Sequence, residues 1–219
     1  MDPSRPPPGD APGGAPRDAP APRPYHHGDL AATLLDAGEA ELVEKGIEGF
    51  SLRGVAKRAG VSHAAPAHHF GDADGLLTAL ATRGFERFAA RQEDFRRQAR
   101  REPREQLVAS GLGYVAFALE NPALFRLMFG SRRPDFQSEQ LGLAARASFE
   151  DLVHHVAQVS GNRASPMKNR SALQDVATAW GLAHGLADLL AAGRMPSLGS
   201  LPPRARERTI ASILRRSLP

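Results

Sequence analysis

The side chains best placed to do chemistry lie in one stretch, Ser51–Phe70, read SLRGVAKRAGVSHAAPAHHF. It carries Arg53, Lys57, Arg58, His63, His68 and His69 and no acid, whereas the preceding Asp29–Phe50 carries six acids against Lys45 alone. A cationic, acid-free segment beside an acidic one is what a surface facing phosphate requires. No catalytic constellation competes with it. There is no glycine-rich phosphate loop, no Gly-x-Ser-x-Gly and no carboxylate-plus-histidine metal signature. The pairs His26-His27, His68-His69 and His154-His155 are adjacent, so on a helix they point to different faces and do not chelate one ion. Cysteine is absent, which excludes disulfides and thiolate metal sites. Neither a catalytic residue nor a metal ligand nor a cofactor is expected. The competing reading, a metal-binding helical protein or metal-sensing regulator, needs the fold to gather distant histidines.

Two short helices must position the basic segment. Leu52, Val55, Ala56 and Ala59 recur at helical spacing. Ser51 is a suitable N-cap, Gly60 a suitable left-handed stop, Val61 a plug for the turn, and Ser62 a cap for a second helix. This is a helix-turn-helix, whose second helix can enter the major groove. Within Ser62–His69, His63, His68 and His69 can donate to base edges or phosphate, and Ala64 and Ala65 can touch thymine methyls. Pro66 removes one N–H and stiffens the start of that helix.

The rest of the chain reads as all-α, with nine helices and no internal repeat. Met1–Pro24 holds nine of the 18 prolines and almost no large apolar side chain, so it is expected to be a disordered arm. Helix 1 is expected over Asp29–Lys45 with Asp29 as its cap, then the two helices of the basic segment, then a long helix from Gly71–Asp74 to about Arg101. The arginine-rich end of that helix is interleaved with Glu86, Glu93, Asp94 and Glu102, as on a salt-bridged face. Helices are expected over Pro103–Glu120, Asn121–Phe129, Asp135–Ser160, Lys168–Ala192 and Arg204–Ser217, with Gly193–Pro203 a linker. Arginine supplies 25 of the 28 basic residues and the formal charge is +4. No apolar run reaches the length of a membrane span and the first residues lack the apolar core of a signal peptide, so a soluble cytoplasmic protein is the expectation.

These residues resemble a known family. Gly46, Ser51, Arg53, Val55, Ala56, Ala59, Gly60, Val61, Ser62 and Phe70 follow the pattern of the N-terminal domain of TetR-type transcriptional regulators, over Tyr25–Phe88. Asn121–Gly130, with Trp180, His184 and Gly185, is similar to the WHG-type C-terminal domain of a TetR subgroup. Two positions depart from the family: Ala67 stands where Tyr is usual, and Ala73 where Lys is frequent. Both usual residues contact phosphate, so Ser51, Arg53, Lys57 and His69 are left to supply those contacts.

After the arm at 1–24, the resemblance implies a DNA-binding domain at 25–88 and a ligand-binding and dimerisation domain at 89–219. It implies a repressor that binds a palindromic double-stranded operator as a homodimer and is released by a small-molecule effector, with no membrane role. Tyr114, Phe117, Phe125, Met128, Phe129, Phe149 and Trp180 would line an apolar pocket, with His154, His155 and His184 as its polar candidates. Ala177, Gly181 and Gly185, and a second ladder at Ala183, Ala187 and Ala191, recur every four residues. In TetR-like proteins the last two helices pair with those of a second subunit, so these small residues are the expected dimer interface.

Overall fold

The protein is described by a computed structural model that covers residues 27–218, with side chains from Leu30 onward. The proline-rich arm at 1–24 lies outside the described residues. Those residues form ten helical segments: α1 (His27–Lys45), α2 (Leu52–Ala59), α3 (Ala65–Phe70), α4 (Ala73–Gln98), α5 (Pro103–Glu120), α6 (Pro122–Gly130), α7 (Glu139–Ser160), α8 (Arg170–Ala191), α9 (Pro196–Gly199) and α10 (Pro203–Ser217). The tenth is α9, a single turn inside the expected Gly193–Pro203 linker. Helix α1 begins before Asp29, which therefore lies in its first turn rather than capping it. Helix α7 starts at Glu139 rather than Asp135, because 135–138 are taken up by a turn in which the Ser138 N–H bonds the Asp135 carbonyl.

Two helices organise the molecule. Helix α5 is buried almost all round, from Leu107 through Ala118, as expected of a helix with apolar residues on every face. It packs against α4, α6, α7, α8 and α10. Helix α4 is the long connector. Its first half, with Leu76, Leu77 and Leu80 buried, packs on α1 and α3, and its second half packs on α5, α6 and α7, Phe88 against Tyr114 and Phe117 of α5 and Phe85 against Phe129 of α6. The expected division at 88/89 thus falls inside one continuous helix.

The α4–α5 crossing is set by Gly113. A Cβ there would lie 2.6 Å from the Gln92 Cα and 2.9 Å from the Arg91 carbonyl oxygen, well inside carbon contact distance. Only glycine lets the two backbones meet this closely. Beyond the crossing the arginine-rich end of α4 is paired as expected. Arg96 bonds Glu93, Asp151 on α7 and the buried Ser110 on α5, and Arg91 pairs with Glu120.

The loop after α6 ties the two halves together a second time. The Arg133 guanidinium donates to the Asp74 carboxylate and to the Ile47 carbonyl, both at 2.7 Å, and the Asp135 N–H donates to the Thr78 hydroxyl at 2.9 Å. Among the described residues no single helix is long and apolar enough to cross a membrane.

Candidate functional site

The basic segment folds into the two-helix unit its caps require. The Ser51 hydroxyl accepts from the Gly54 N–H at 3.1 Å and starts α2. Gly60 ends it at φ +67°, where a Cβ would be strained, and the Val61 N–H closes the turn on the Ala56 carbonyl. Val61 is half-buried and packs on the core rather than sitting fully inside it.

Ser62 does not cap α3. The helix begins at Ala65, after a turn in which the Ala65 N–H bonds the Ser62 carbonyl, and its cap position is held by Ala64 without a side-chain bond. Pro66 accounts for the delay. It fits the first turn of a helix, where its missing N–H costs nothing, and it is buried there. The recognition segment is therefore a turn, Ser62–Ala64, followed by a six-residue helix.

The side chains of this unit divide into available and committed groups. Arg53 and Lys57 on α2 are exposed and make no ion pair among the described residues. Ser51, Ser62, His63, Ala64 and His68 are exposed, while Ala65 and His69 are half-buried, the latter with its ring beside Phe70. Arg58 is committed. Its Nε donates to Glu41 at 2.7 Å and its Nη2 to Glu44, both on α1. Glu41 is only 4% exposed, and it can sit against α2 because Gly54 has no side chain where the carboxylate lies. The Lys45 ammonium, then the Arg58 guanidinium, hold the Glu44 carboxyl down to about 2. Glu41 and Glu44 are thus turned toward α2 and paired, while Asp36 and Glu39 of α1 pair with Arg83 and Arg87 on α4. Arg53 and Lys57, four residues apart on α2, stay exposed and unpaired among the described residues, available for an anion.

The second site is a cavity of about 220 Å³ between α4, α5, α6 and α7, closed on one side by α8. Tyr114, Phe129 and Trp180, with Met128 and Phe149, line it as expected from their apolar character. Phe117 and Phe125 do not. Each is almost fully buried in the layer behind the lining, Phe117 against Phe88 and Phe125 against Tyr114, Phe129 and His184. His154 is exposed and belongs to an open groove beside the α7–α8 loop, together with Met167. His155 pairs with Asp151 at 3.5 Å. His184 lies behind the cavity wall, its Nδ1 2.8 Å from the Tyr114 hydroxyl. The Trp180 indole N–H donates to the same hydroxyl at 3.3 Å, so Tyr114 donates onward to the His184 Nδ1 in the tautomer that leaves this nitrogen free to accept. Burial pushes the Tyr114 phenol well above its ordinary value near 10, against a smaller opposing effect of the Trp180 bond.

Sequence reading missed Phe85, Phe88, Gln92 and Phe136 in this cavity. The first three fall on α4 among core positions, and which side of a helix crossing they face is not written in their spacing. Phe136 comes from the same loop that carries Arg133.

The small-residue ladders separate. Ala183 and Ala187 are buried within the chain, so that ladder is intramolecular packing. Ala177 and Gly181 are exposed and Gly185 half-buried, and a Cβ at either glycine would meet nothing within 4 Å. Leu173, Trp180 and Leu189 on the same helix are exposed large apolar residues, Trp180 at 41%. Among the described residues no group of three or more His, Cys, Asp or Glu is gathered where it could hold a metal ion.

Comparison with known proteins bears on both halves. Residues 34–80 match the family model described as bacterial regulatory proteins, tetR family, and residues 107–215 match the tetracyclin repressor-like C-terminal domain. The HTH-type transcriptional regulator BetI of Burkholderia ambifaria is 38% identical over 78 residues, 36% of this chain and 40% of that protein. The chain therefore spans, in that alignment, less than half the length of the curated relative. BetI of Burkholderia lata is 27% identical over 192 residues, 74% of this chain and 93% of the relative. Among solved structures, a protein of unknown function from Rhodococcus sp. RHA1 is 35% identical with a TM-score of 0.71, covering 90% of this chain and 99% of that one. The TetR family transcriptional regulator PfmR from Thermus thermophilus shares the fold at 20% identity, with a TM-score of 0.60 over 85% of this chain and 98% of its own.

Proposed function

The chain belongs to the TetR family of bacterial regulatory proteins, a DNA-binding regulator rather than an enzyme, and from that premise we propose that it acts in the cytoplasm as a homodimeric repressor of transcription. Each subunit presents α2 and α3 to one half of a palindromic operator, and a small apolar effector in the α4–α7 cavity releases the DNA. The observation that carries the DNA reading is the sorting of charge on α2. Arg58 is consumed by Glu41 and Glu44, while Arg53 and Lys57 on the same helix stand exposed and unpaired among the described residues. Phosphate contacts from Ser51, Arg53, Lys57 and His69 fix the register, and His63, at the turn before α3, reads a base edge. The functional division places DNA binding at 25–88 and effector binding and dimerisation at 89–219, with α4 shared between them.

The exposed face of α8, where Ala177, Gly181 and Gly185 offer a flat strip flanked by Leu173 and Leu189, is the surface a second subunit would cover. Effector action follows from two mechanical links. Phe85 and Phe88 line the cavity on the helix whose first turns hold α3, and Phe136 lines it from the loop that Arg133 anchors to Asp74 and Ile47. A ligand that prefers a different spacing of these walls displaces α3 and shifts the population away from the DNA-competent state.

Nuclease protection of the DNA upstream of the protein's own gene tests the reading. The expected footprint is symmetric, with half-sites about one helical turn, ~34 Å or somewhat more, apart. An absence of any sequence-specific protection there and in a random-duplex selection would contradict it.

A further inference from the structure

Gln92 is a largely buried side chain whose amide has no protein partner and opens on the cavity. It is 8% exposed, it sits at the tight α4–α5 crossing opposite Gly113, and its amide makes no hydrogen bond to any described residue. An amide with no protein partner on a largely buried residue is left to take its partner from the space it opens on. Gln92 lines the 220 Å³ cavity, and every other polar group on that wall is already engaged: the Tyr114 hydroxyl with Trp180 and His184, the Ser148 hydroxyl with the Ala144 carbonyl. No Lys, Arg, His, Asp or Glu lines the cavity.

We propose that Gln92 is the specificity-determining contact for the effector, and that the effector is an uncharged, largely aromatic molecule carrying a hydrogen-bond donor and acceptor side by side, as on an amide or lactam edge. This rests on the cavity being the effector site. The class follows from three features of the wall. Phe85, Phe88, Tyr114, Phe129, Phe149 and Trp180 present ring faces and edges, which favour a flat aromatic body. The absence of a counter-charge rejects a carboxylate or phosphate, whose desolvation nothing would offset. Gln92 offers one acceptor and two donors, and its complement is a group with both. Size sets the scale: a cavity of about 150 Å³ holds benzene, so 220 Å³ suits a bicyclic ring system or a substituted single ring.

The position of Gln92 also gives the contact a consequence. The same residue is the point where α4 is pressed against α5, so a ligand bonded to it is fixed relative to the pivot of the connecting helix. The ring body then bears on Phe88 and Phe85, one and two turns toward the DNA-binding end.

Calorimetry with 2-naphthamide, naphthalene and 2-naphthoate as probes tests this on the full-length protein and on Gln92→Met, which keeps the side chain's length and shape. Two neutral hydrogen bonds in place of none predict that the wild type prefers naphthamide over naphthalene on the order of tenfold or more, with naphthoate weakest. Gln92→Met should lose that preference while binding naphthalene as the wild type does, which also shows that the variant is folded. Naphthamide and naphthalene binding the wild type equally would overturn the role of Gln92 and leave the cavity reading intact, as would a preference that survives in Gln92→Met. The first of these outcomes is what a water held against Gln92 in the adjoining 30 Å³ recess would produce. Binding of none of the three would overturn the effector cavity and this inference with it.

Discussion

Gly113→Ala should be among the most damaging single-methyl changes in the protein. An ideal Cβ at this position stands 2.6 Å from the Gln92 Cα, 2.9 Å from the Arg91 carbonyl oxygen and 3.0 Å from the Gln92 nitrogen. Ordinary carbon contacts are ~3.5–4.0 Å, so the two helices must part by about 1 Å at their crossing. All three obstructing atoms are backbone, so no rotamer change relieves them. Overpacking of a well-filled core costs roughly 1–3 kcal/mol, and a backbone-against-backbone clash on the most buried helix belongs at the upper end. A gain in helix propensity of up to about 1 kcal/mol for Gly→Ala offsets part of it. The net expectation is about 2 kcal/mol of destabilisation. At about 2–4 °C per kcal/mol for a chain of this size, the midpoint should fall by roughly 4–8 °C. Urea and thermal unfolding at one fixed protein concentration would measure it, with Gly142→Ala as a reference, since the nearest atom to its Cβ is a single carbonyl oxygen at 3.3 Å. Gly113→Ala within about 0.5 kcal/mol of the wild type, the range of an ordinary surface change, would refute the tight crossing and with it the idea of a pivot at Gln92.

Other expectations follow from the same geometry. Arg53→Ala should weaken binding to every duplex and lower the salt slope by about 1, as loss of one phosphate contact does, while His63→Ala should change base preference at a cost of roughly 1–3 kcal/mol; selection from random duplexes separates the two. Gly181→Leu should convert the proposed dimer to monomer in sedimentation, because it fills the open strip between the exposed apolar residues of α8 without touching the chain's own core, and an unchanged dimer would place the interface elsewhere. Arg133→Ala should leave effector affinity nearly unchanged but reduce the effector's influence on operator affinity, since it cuts the link from the Phe136 loop to Asp74 and Ile47; paired titrations with and without DNA measure this coupling directly.

What was legible in the sequence was whatever depends on near neighbours. Ser51 and Gly60 mark the ends of α2 because a cap bonds three or four residues away, and the apolar spacing of α4, α5 and α8 placed those helices within a few residues. Ser62 misled because its capping pattern is local but the start of α3 is set by Pro66. Arg58 counted only toward the charge of the basic segment, and its pairing was hidden because Glu41 and Glu44 are distant in sequence and adjacent only once α1 packs on α2. The same limit governs the cavity. Phe125 and Phe129 are one helical turn apart on α6, yet only Phe129 faces the open space, because the α4–α5–α7 crossings decide which side is filled. Gln92 was hidden for the same reason, as a polar residue in an arginine-rich run that reads as solvated until α5 covers it. The two ladders on α8 differ only in rotation about the helix axis, and packing alone assigns Ala183 and Ala187 inward and Ala177 and Gly181 outward.

The central claim is that a pair of these chains grips DNA through two copies of the α2–α3 unit, and its most direct test is the stoichiometry and salt dependence of binding to a palindromic duplex recovered by selection. Two subunits per duplex are expected, with affinity falling steeply and linearly on logarithmic axes between roughly 50 mM and 200 mM salt, at a slope of about −0.9 for each phosphate neutralised. A single subunit per duplex, or an affinity that does not change with salt, would contradict it.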